Sequence, residues 1–433
     1  MPTPSGPARP GPAAACPPAP GPSGAAGPAG TGYRAVFAVP EFRRVFAAHL
    51  LSSLGVVVCE LALSVLVYRL TGSPLLSALT FALGLLPYVV GGTLLSAVAD
   101  RYPARRVLVC CDAVCAAAAA VMVLPGVPVA VLLGLRCVIA AVAPVFAGTR
   151  AGTLGEILGE GDLFVLGRSL IRIVNQGAQL AGFAAGGLLL AAVKPGAVLG
   201  ITAATFTASA LLLRLGTTAR PARGHGGGAL LGASVAGVRR LLADRRVRAL
   251  LLLTWVPPAV VVVPEALLVP YGDQLGVGPA GQGLLMCGMP VGAVVAETLV
   301  GALLGPRARE RLTFPMGVFA VLPSLGFAAR PSLGWALVLL VLTGTSISYN
   351  FGVDRWFVAA VPEELLGQAM TVMQAGRMTL MGLAMALAGV AAQYAPLPAV
   401  MPAAGVLGAV AVLAVIAVVR RSGAHGERGR TTS

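Results

Sequence analysis

Thr93-Leu94-Leu95-Ser96-Ala97-Val98-Ala99-Asp100-Arg101-Tyr102-Pro103-Ala104-Arg105-Arg106 decides the reading of this chain, because an apolar run that begins near Pro74 stops in it at a knot of charge. Hydrocarbon accepts the first part and rejects the second, so the stretch marks the end of a membrane crossing. Its opening six residues return as Thr298-Leu299-Val300-Gly301-Ala302-Leu303, again at the end of an apolar run and again followed by arginines, Arg307, Arg309 and Arg311. Leu166-Gly167, Leu180 and Gly182 likewise return as Leu366-Gly367, Leu380 and Gly382. Two copies of one unit in the same orientation are the arrangement of parallel-repeat transporters, whose substrate site lies between the copies near the midplane.

Composition agrees. Of 433 residues, 57% are hydrophobic and 11% charged, with a mean hydropathy of +0.88, whereas about a quarter of an ordinary soluble domain is charged. A water-soluble globule is excluded, and there is room for about twelve crossings of ~20 residues. The net charge of +15 does not point to nucleic acid, because the arginines punctuate apolar runs. Of the seven cysteines, Cys16 stands in the N-terminal tail and the others in apolar runs. No spacing fits a disulfide framework or a zinc site, so neither metal nor cofactor is expected.

Apolar runs broken by Gly/Pro turns and arginines predict an all-α polytopic membrane protein of twelve spans. They fall at about 45–70, 74–99, 107–124, 128–149, 167–192 and 196–215, then 249–270, 281–304, 313–329, 333–351, 367–391 and 397–419. Residues 1–40 are a Pro/Gly/Ala/Ser tail without the features of a signal peptide. Residues 41–215 and 248–420 are the six-helix halves, 216–247 a basic linker, and 421–433 a second tail. In the linker Val235, Val238, Leu241 and Leu242 share a helical face beside Arg239, Arg240, Arg245 and Arg246, which predicts an amphipathic helix on the inner leaflet. Alternate loops hold Arg43 and Arg44, then Arg101, Arg105 and Arg106, then Arg150 and Arg168, then Arg307, Arg309 and Arg311, then Arg420 and Arg421. The opposite loops hold only Arg69, Lys194 and Arg330. The positive-inside rule puts both termini in the cytoplasm of a multi-pass protein of the cell (plasma) membrane.

The segment Ser96 to Arg106 resembles the loop between helices 2 and 3 of the major facilitator superfamily. Tyr68-Arg69-Leu70-Thr71-Gly72-Ser73, Gly237-Val238-Arg239-Arg240-Leu241, and Gly182, Gly186 and Gly187 are similar to its drug and siderophore exporter branch, which includes macrolide efflux proteins and the enterobactin exporter. The likeness covers about residues 42–421. Ser96 and Pro103 depart from the loop's glycines, and Gly305 stands where the second copy would repeat Asp100. Phe183 stands where exporters commonly carry proline, and Val56 where an acid often follows the helix 1 glycine. The resemblance implies a twelve-helix fold in two halves around a central cavity, and an efflux antiporter, taken to act as a monomer.

A charge at the centre of a spanning helix costs ~2.5 to 3.5 kcal/mol on insertion scales, which makes Glu60, Arg136, Glu265, Glu297 and Arg377 functional candidates. The plainer reading of Arg136 and Arg377 is a structural pairing. Span 5 puts Arg168, Arg172, Asn175, Gln176 and Gln179 on one polar face, expected to line the substrate cavity with Arg377, Tyr349 and Asn350. In span 10, Thr343 and Ser346 continue that set, or form a packing seam. Pro257, Pro258 and Pro264 predict a kinked span 7. Ser53, Glu60 and Ser64 share a face expected to look into the cavity. At 1.5 Å per residue Glu60 lies ~15 Å and Arg136 ~12 Å from the outer boundary, so the two can pair. Glu60 is expected to carry the coupling proton, modulated by Arg136, with Glu265 as a rival. Glu297 and Arg172 match in depth at ~8 to 11 Å from the inner boundary and are expected to form an inner gate. Asp100, with Arg101, Arg105 and Arg106 beside it, is expected to latch onto the start of span 11 near residues 364–368, where unpaired helix donors favour an anion.

No nucleotide-binding signature is present, so the expected function is proton-driven export of a small amphiphilic molecule, an antibiotic, siderophore or secondary metabolite. The expected partners are that substrate, protons and the lipid bilayer. A polytopic enzyme would need clustered catalytic groups. Asp100, Asp112, Asp162, Asp244, Asp273 and Asp354 show no metal-diphosphate spacing, and His49, His225 and His425 assemble no triad. A transporter-derived sensor or scaffold is the other alternative.

Overall fold

The computed structural model describes residues 33–88, 91, 101–159, 162–218 and 238–430, with backbone alone for 33, 162, 165, 172, 306, 363 and 423–430. Among the described residues there are no strands. The N-terminal half contains α1 (Pro40–Thr71), α2 (Pro74–Leu85 and beyond), α3 (Ala104–Val123), α4 (Val129–Leu158), α5 (Asp162–Ala192) and α6 (Pro195–Gly216). The C-terminal half contains α7 (Arg245–Gln274), α8 (Pro279–Leu303), α9 (Pro306–Phe319, continued by the 3-10 segment Leu322–Ala329) and α10 (Leu333–Thr345, then Asn350–Ala360). It ends with α11 (Leu366–Tyr394) and α12 (Leu397–Arg430). Eleven described helices are long and apolar enough to cross a membrane, and Pro74–Leu85 is a shorter apolar helix at the place of span 2, so the twelve-span reading holds.

Local chemistry explains the element ends. Gly72 closes α1 with φ 63°, a left-handed conformation that only glycine adopts freely, and its N–H donates to the Tyr68 carbonyl at 2.7 Å. Ser73 then caps α2 by accepting from Leu76 N at 3.3 Å, and its hydroxyl donates across the halves to Gln393 at 3.0 Å. Asp244 starts α7 by accepting from the N–H groups of Arg246 and Val247 at 2.7 and 3.0 Å. Four prolines, Pro257, Pro258, Pro264 and Pro270, lie inside α7, which runs as one helix. The amphipathic linker falls mostly outside the described residues, although Leu241 is buried and Leu242 exposed.

Three span ends differ from the sequence reading. The fourth helix continues past residue 149 to Leu158, because Arg150 is not a loop arginine: it is 8% exposed and contacts His49. The ninth begins at Pro306 and loosens into a 3-10 segment after Pro315. The tenth passes through a 3-10 turn, Ser346–Tyr349, and goes on to Ala360.

The starts of α1 and α7 and the ends of α6 and α12 share one end of the molecule, called here the linker end. Glu41 accepts from Thr218, and Arg246 donates to the Val419 carbonyl. Between the halves, α2 packs on α11 and on α7, and α5 packs on α8. At the far end one apolar core is common to both halves, with Leu63, Ala82 and Phe183 packed with Leu267, Leu285 and Met385. At the linker end the halves have separate cores, two small clusters around Phe42 with Leu154 and around Leu108 with Leu213 in one, and a larger one around Leu253, Val353 and Phe357 in the other.

Candidate functional site

A chamber of about 360 Å³ lies where the common core gives way to separate ones. It is lined by Gln176 and Gln179 of α5, Pro258, Val262 and Glu265 of α7, Met289 and Pro290 of α8, Thr343, Ser346, Tyr349 and Asn350 of the α10 region, and Arg377, Met378 and Met381 of α11. On three helices the lining residues all lie on the linker side of the residues that join the halves. On α5, Gln176 and Gln179 precede Gly187; on α8, Met289 and Ala293 follow Gly283; on α11, Arg377 and Met381 precede Gly382 and Gly389. The joining residues are glycines because backbones meet there. A Cβ on Gly187 would stand 2.8 Å from the Gly283 Cα, and one on Gly389 3.1 Å from the Leu75 Cα. The chamber is therefore sealed at the far end.

Its walls combine a hydrophobic surface with a few polar groups. Met289, Met378 and Met381 offer polarizable, adaptable contacts. Arg377 donates through Nη2 to Gln374 at 2.8 Å, while its buried Nε has no partner within the protein. The Tyr349 hydroxyl, on a side chain 3% exposed, also has none. Thr343 and Ser346 satisfy themselves on the carbonyls of Leu339 and Thr343 at 2.8 and 2.6 Å. Unsatisfied buried donors are costly, so Arg377 and Tyr349 are poised to meet an acceptor on a guest molecule, and Glu265 adds an acceptor to the same lining.

Glu60 and Arg136 stand outside this chamber. Arg136 Nη2 donates to Glu60 Oε1 at 2.7 Å, with side-chain exposures of 4% and 19%. Gly84 of α2 makes the room, since a Cβ there would stand 2.9 Å from the guanidinium carbon and 3.1 Å from Glu60 Oε1. The expected hydrated serine face is corrected: Ser64 is fully buried and shares a 2.8 Å hydrogen bond with Ser77, so this face of α1 packs on α2.

The sequence-predicted cavity set divides. Gln176, Gln179, Tyr349, Asn350 and Arg377 line the chamber with Glu265, whereas Asn175 is not among its lining residues and sits 2.8 Å from His49 Nε2. Asp100 and the side chain of Arg172 lie outside the described residues, and Glu297 stands half-buried on α8. Arg101 and Arg106 are exposed, while Arg105 contacts the Arg214 carbonyl and so ties α3 to the end of α6 within one half. In the second copy Arg309 likewise donates to the Gly301 carbonyl at 2.6 Å and closes the end of α8. Sequence reasoning missed the glycine seals, Gly84, and a buried cluster of His49, Asp112 and Arg150. Only the Gly182 to Gly187 spacing hinted at any of these.

The family model described as Major Facilitator Superfamily matches residues 45–353, and the chain belongs to that superfamily. It is a multi-pass membrane transporter. A search of curated protein sequences found no significant match. Among solved structures it is similar to the peptide transporter POT in complex with sulfate, at 14% identity and a TM-score of 0.67, covering 88% of this chain and 95% of that one. It is also similar to a POT structure in complex with alafosfalin, at 14% identity, TM-score 0.70, and coverage of 90% and 98%. For the nucleoside transporter NupG the identity is 12%, the TM-score 0.67, and the coverage 87% and 99%. At these identities the likeness concerns the fold, and the exporter branch suggested by the loop motifs is not among these three structures.

Proposed function

We propose that the protein exports a small amphiphilic molecule across the cell membrane by alternating access, driven by protons entering in exchange. The observation that carries this is the chamber itself: polar groups converge on a methionine-lined space between two repeats that share a core at one end only. The arginine-rich loops make the linker end cytoplasmic, so the conformation seen is the one that loads substrate from inside. An amphiphile with an acceptor group fits the donors of Arg377 and Tyr349, and its apolar body fits the methionines. Glu60 carries the coupling proton, released or taken up as Arg136 moves, with Glu265 the rival carrier. The protein acts as a monomer, since each chain contains a whole chamber.

Cells producing the protein are expected to survive several-fold higher concentrations of some members of a panel of toxic amphiphiles, macrolides and siderophore analogues included. Inverted membrane vesicles from them should take up the same compounds only when a proton gradient is imposed. No protection across the panel and no gradient-dependent uptake would refute export.

When the linker end closes, Glu297 and Arg172 form the inner gate, and the Asp100 carboxylate, with Arg101 and Arg106 exposed beside it, latches onto the start of α11 near Glu364. Glu297→Gln and Arg172→Gln should each lower the uptake rate about tenfold, and the charge-swapped double variant should recover part of it. Additive losses without recovery would exclude a direct pair.

A further inference from the structure

A second ionisable cluster lies wholly inside the N-terminal half, away from the chamber. Asp112 of α3 is 1% exposed, and its Oδ1 accepts from Ser52 of α1 at 2.9 Å. Its Oδ2 lies 2.5 Å from Ser209 Oγ of α6, and that same Oγ lies 2.9 Å from the Ala48 carbonyl. A serine hydroxyl has one proton to donate. With a carboxylate at Asp112 it faces two acceptors; with a carboxylic acid the chain is complete, Asp112 donating to Ser209 and Ser209 to Ala48.

The neighbouring arginine tells the same story. Arg150 of α4, itself buried, contacts His49 Nδ1, and both Asp112 oxygens are occupied by serines. His49 Nε2 stands 2.8 Å from Asn175 Oδ1. That oxygen accepts, so Nε2 carries the ring hydrogen, and the Nδ1 lone pair faces both Arg150, which can only donate, and the Ser53 hydroxyl at 3.1 Å. A guanidinium resting on a neutral imidazole, beside a buried acid it does not pair with, fits an acid that is uncharged. His49, Ser52, Asp112, Phe146 and Arg150 line a cavity of about 160 Å³, several times the ~30 Å³ of a water molecule, so a guanidinium has room to swing.

We propose that Asp112 is a second proton-binding carboxyl of this transporter and Arg150 its moving counter-ion, resting on His49 while Asp112 holds the proton and on Asp112 once the proton has left. In the exchange the Asp112 O–H bond breaks, the proton passes to water, and Arg150 trades a hydrogen bond to Nδ1 for one to the carboxylate. The charge of the cluster falls from plus one to zero. Asp112 stands eight residues into α3, ~12 Å from the linker end, which makes the route short.

The first helix brings His49, with Glu60 three turns away on Arg136. The third brings Cys111 and Cys115, the fourth Arg150 over the Phe146 ring at 5.4 Å, and the sixth only Ser209. The fifth brings the neutral Asn175, and Arg172 one turn before it is described by backbone alone. The proposal goes beyond the transport reading and holds whether or not Glu60 carries the coupling proton.

Difference infrared spectroscopy on the full chain in lipid vesicles, titrated from about pH 5 to about pH 9, reads the site without any substrate. A protonated-carboxyl stretch should fade as pH rises, vanish in Asp112→Asn, and persist in Glu60→Gln and Glu265→Gln. His49→Leu, which removes Arg150's neutral resting place, should abolish the band at neutral pH. Ser209→Ala leaves the carboxyl in place and should shift the band, which keeps the test open if Asp112→Asn does not fold. A band unmoved by Asp112→Asn or Ser209→Ala, or constant across the titration, would overturn the proposal.

Discussion

Proteoliposomes containing Glu60→Gln are expected to lose proton-driven accumulation of substrate while still exchanging substrate for substrate across the membrane. A proton crossing with a 100 mV potential supplies ~2.3 kcal/mol. At 1.4 kcal/mol per factor of ten, that sustains a roughly fiftyfold gradient of a neutral substrate. Accumulation should therefore fall from up to about fiftyfold to about unity, a larger change than any packing defect predicts for exchange. The residue is placed for this role because its carboxylate is tied to Arg136 at 2.7 Å and shielded from bulk water. Removing one partner of a buried pair costs ~3 to 5 kcal/mol, so protonation of Glu60 and displacement of Arg136 are coupled events. Gly84 leaves the guanidinium the space in which it is seen, and a rearrangement of α2 would close that space. Glutamine keeps the shape and an acceptor for Arg136 but cannot take up a proton. Should drive survive in Glu60→Gln and fail in Glu265→Gln, the carrier is Glu265; survival in both would eliminate the coupling scheme.

Gly187→Leu is expected to hold the far end open and to lower transport at least tenfold. The added Cβ would meet the Gly283 Cα at 2.8 Å, the Pro279 carbonyl at 3.0 Å and Gly283 N at 3.3 Å. All three are backbone atoms, which cannot rotate aside as a side chain can, so α5 and α8 must separate. Overpacking of this kind costs ~1 to 3 kcal/mol, which shifts the balance between the two access states by about five- to 150-fold. Cysteine-reactive probes applied from the far side should label chamber positions faster in this variant, and probes from the linker side more slowly. Gly196→Leu is the control at the same end, because nothing lies within 4 Å of its added Cβ. Equal transport in Gly187→Leu and Gly196→Leu would show that closure of this seam is not part of the cycle.

Much of the architecture is legible in the chain because membrane insertion is a matter of local composition. Twenty apolar residues must be helical in hydrocarbon, whatever they pack against, and arginines mark where they stop. The same logic places Tyr68 to Ser73: Gly72 is needed for a left-handed residue and Ser73 for a cap, and both act within one turn of themselves. It fails at Arg150, where the arginine that should have ended a span is buried on His49. It fails again on α5, where one polar face serves two neighbours, Gln176 and Gln179 facing the chamber and Asn175 facing His49.

Composition and repeat thus determined by themselves that the chain spans a membrane in two equivalent six-helix units, since each helix satisfies its own backbone and needs no partner to exist. Which polar side chain faces which helix was decided only by the tertiary structure. Periodicity assigns a residue to a face, but the energy of a buried charge depends on what stands within a few ångströms of it, and that is contributed by helices far away in sequence. Glu60 meets Arg136 across 76 positions and Asp112 meets Ser209 across 97. The end at which the chamber is sealed was decided in the same way, by Gly187 against Gly283 and Gly389 against Leu75, whose backbones meet only after the halves have come together.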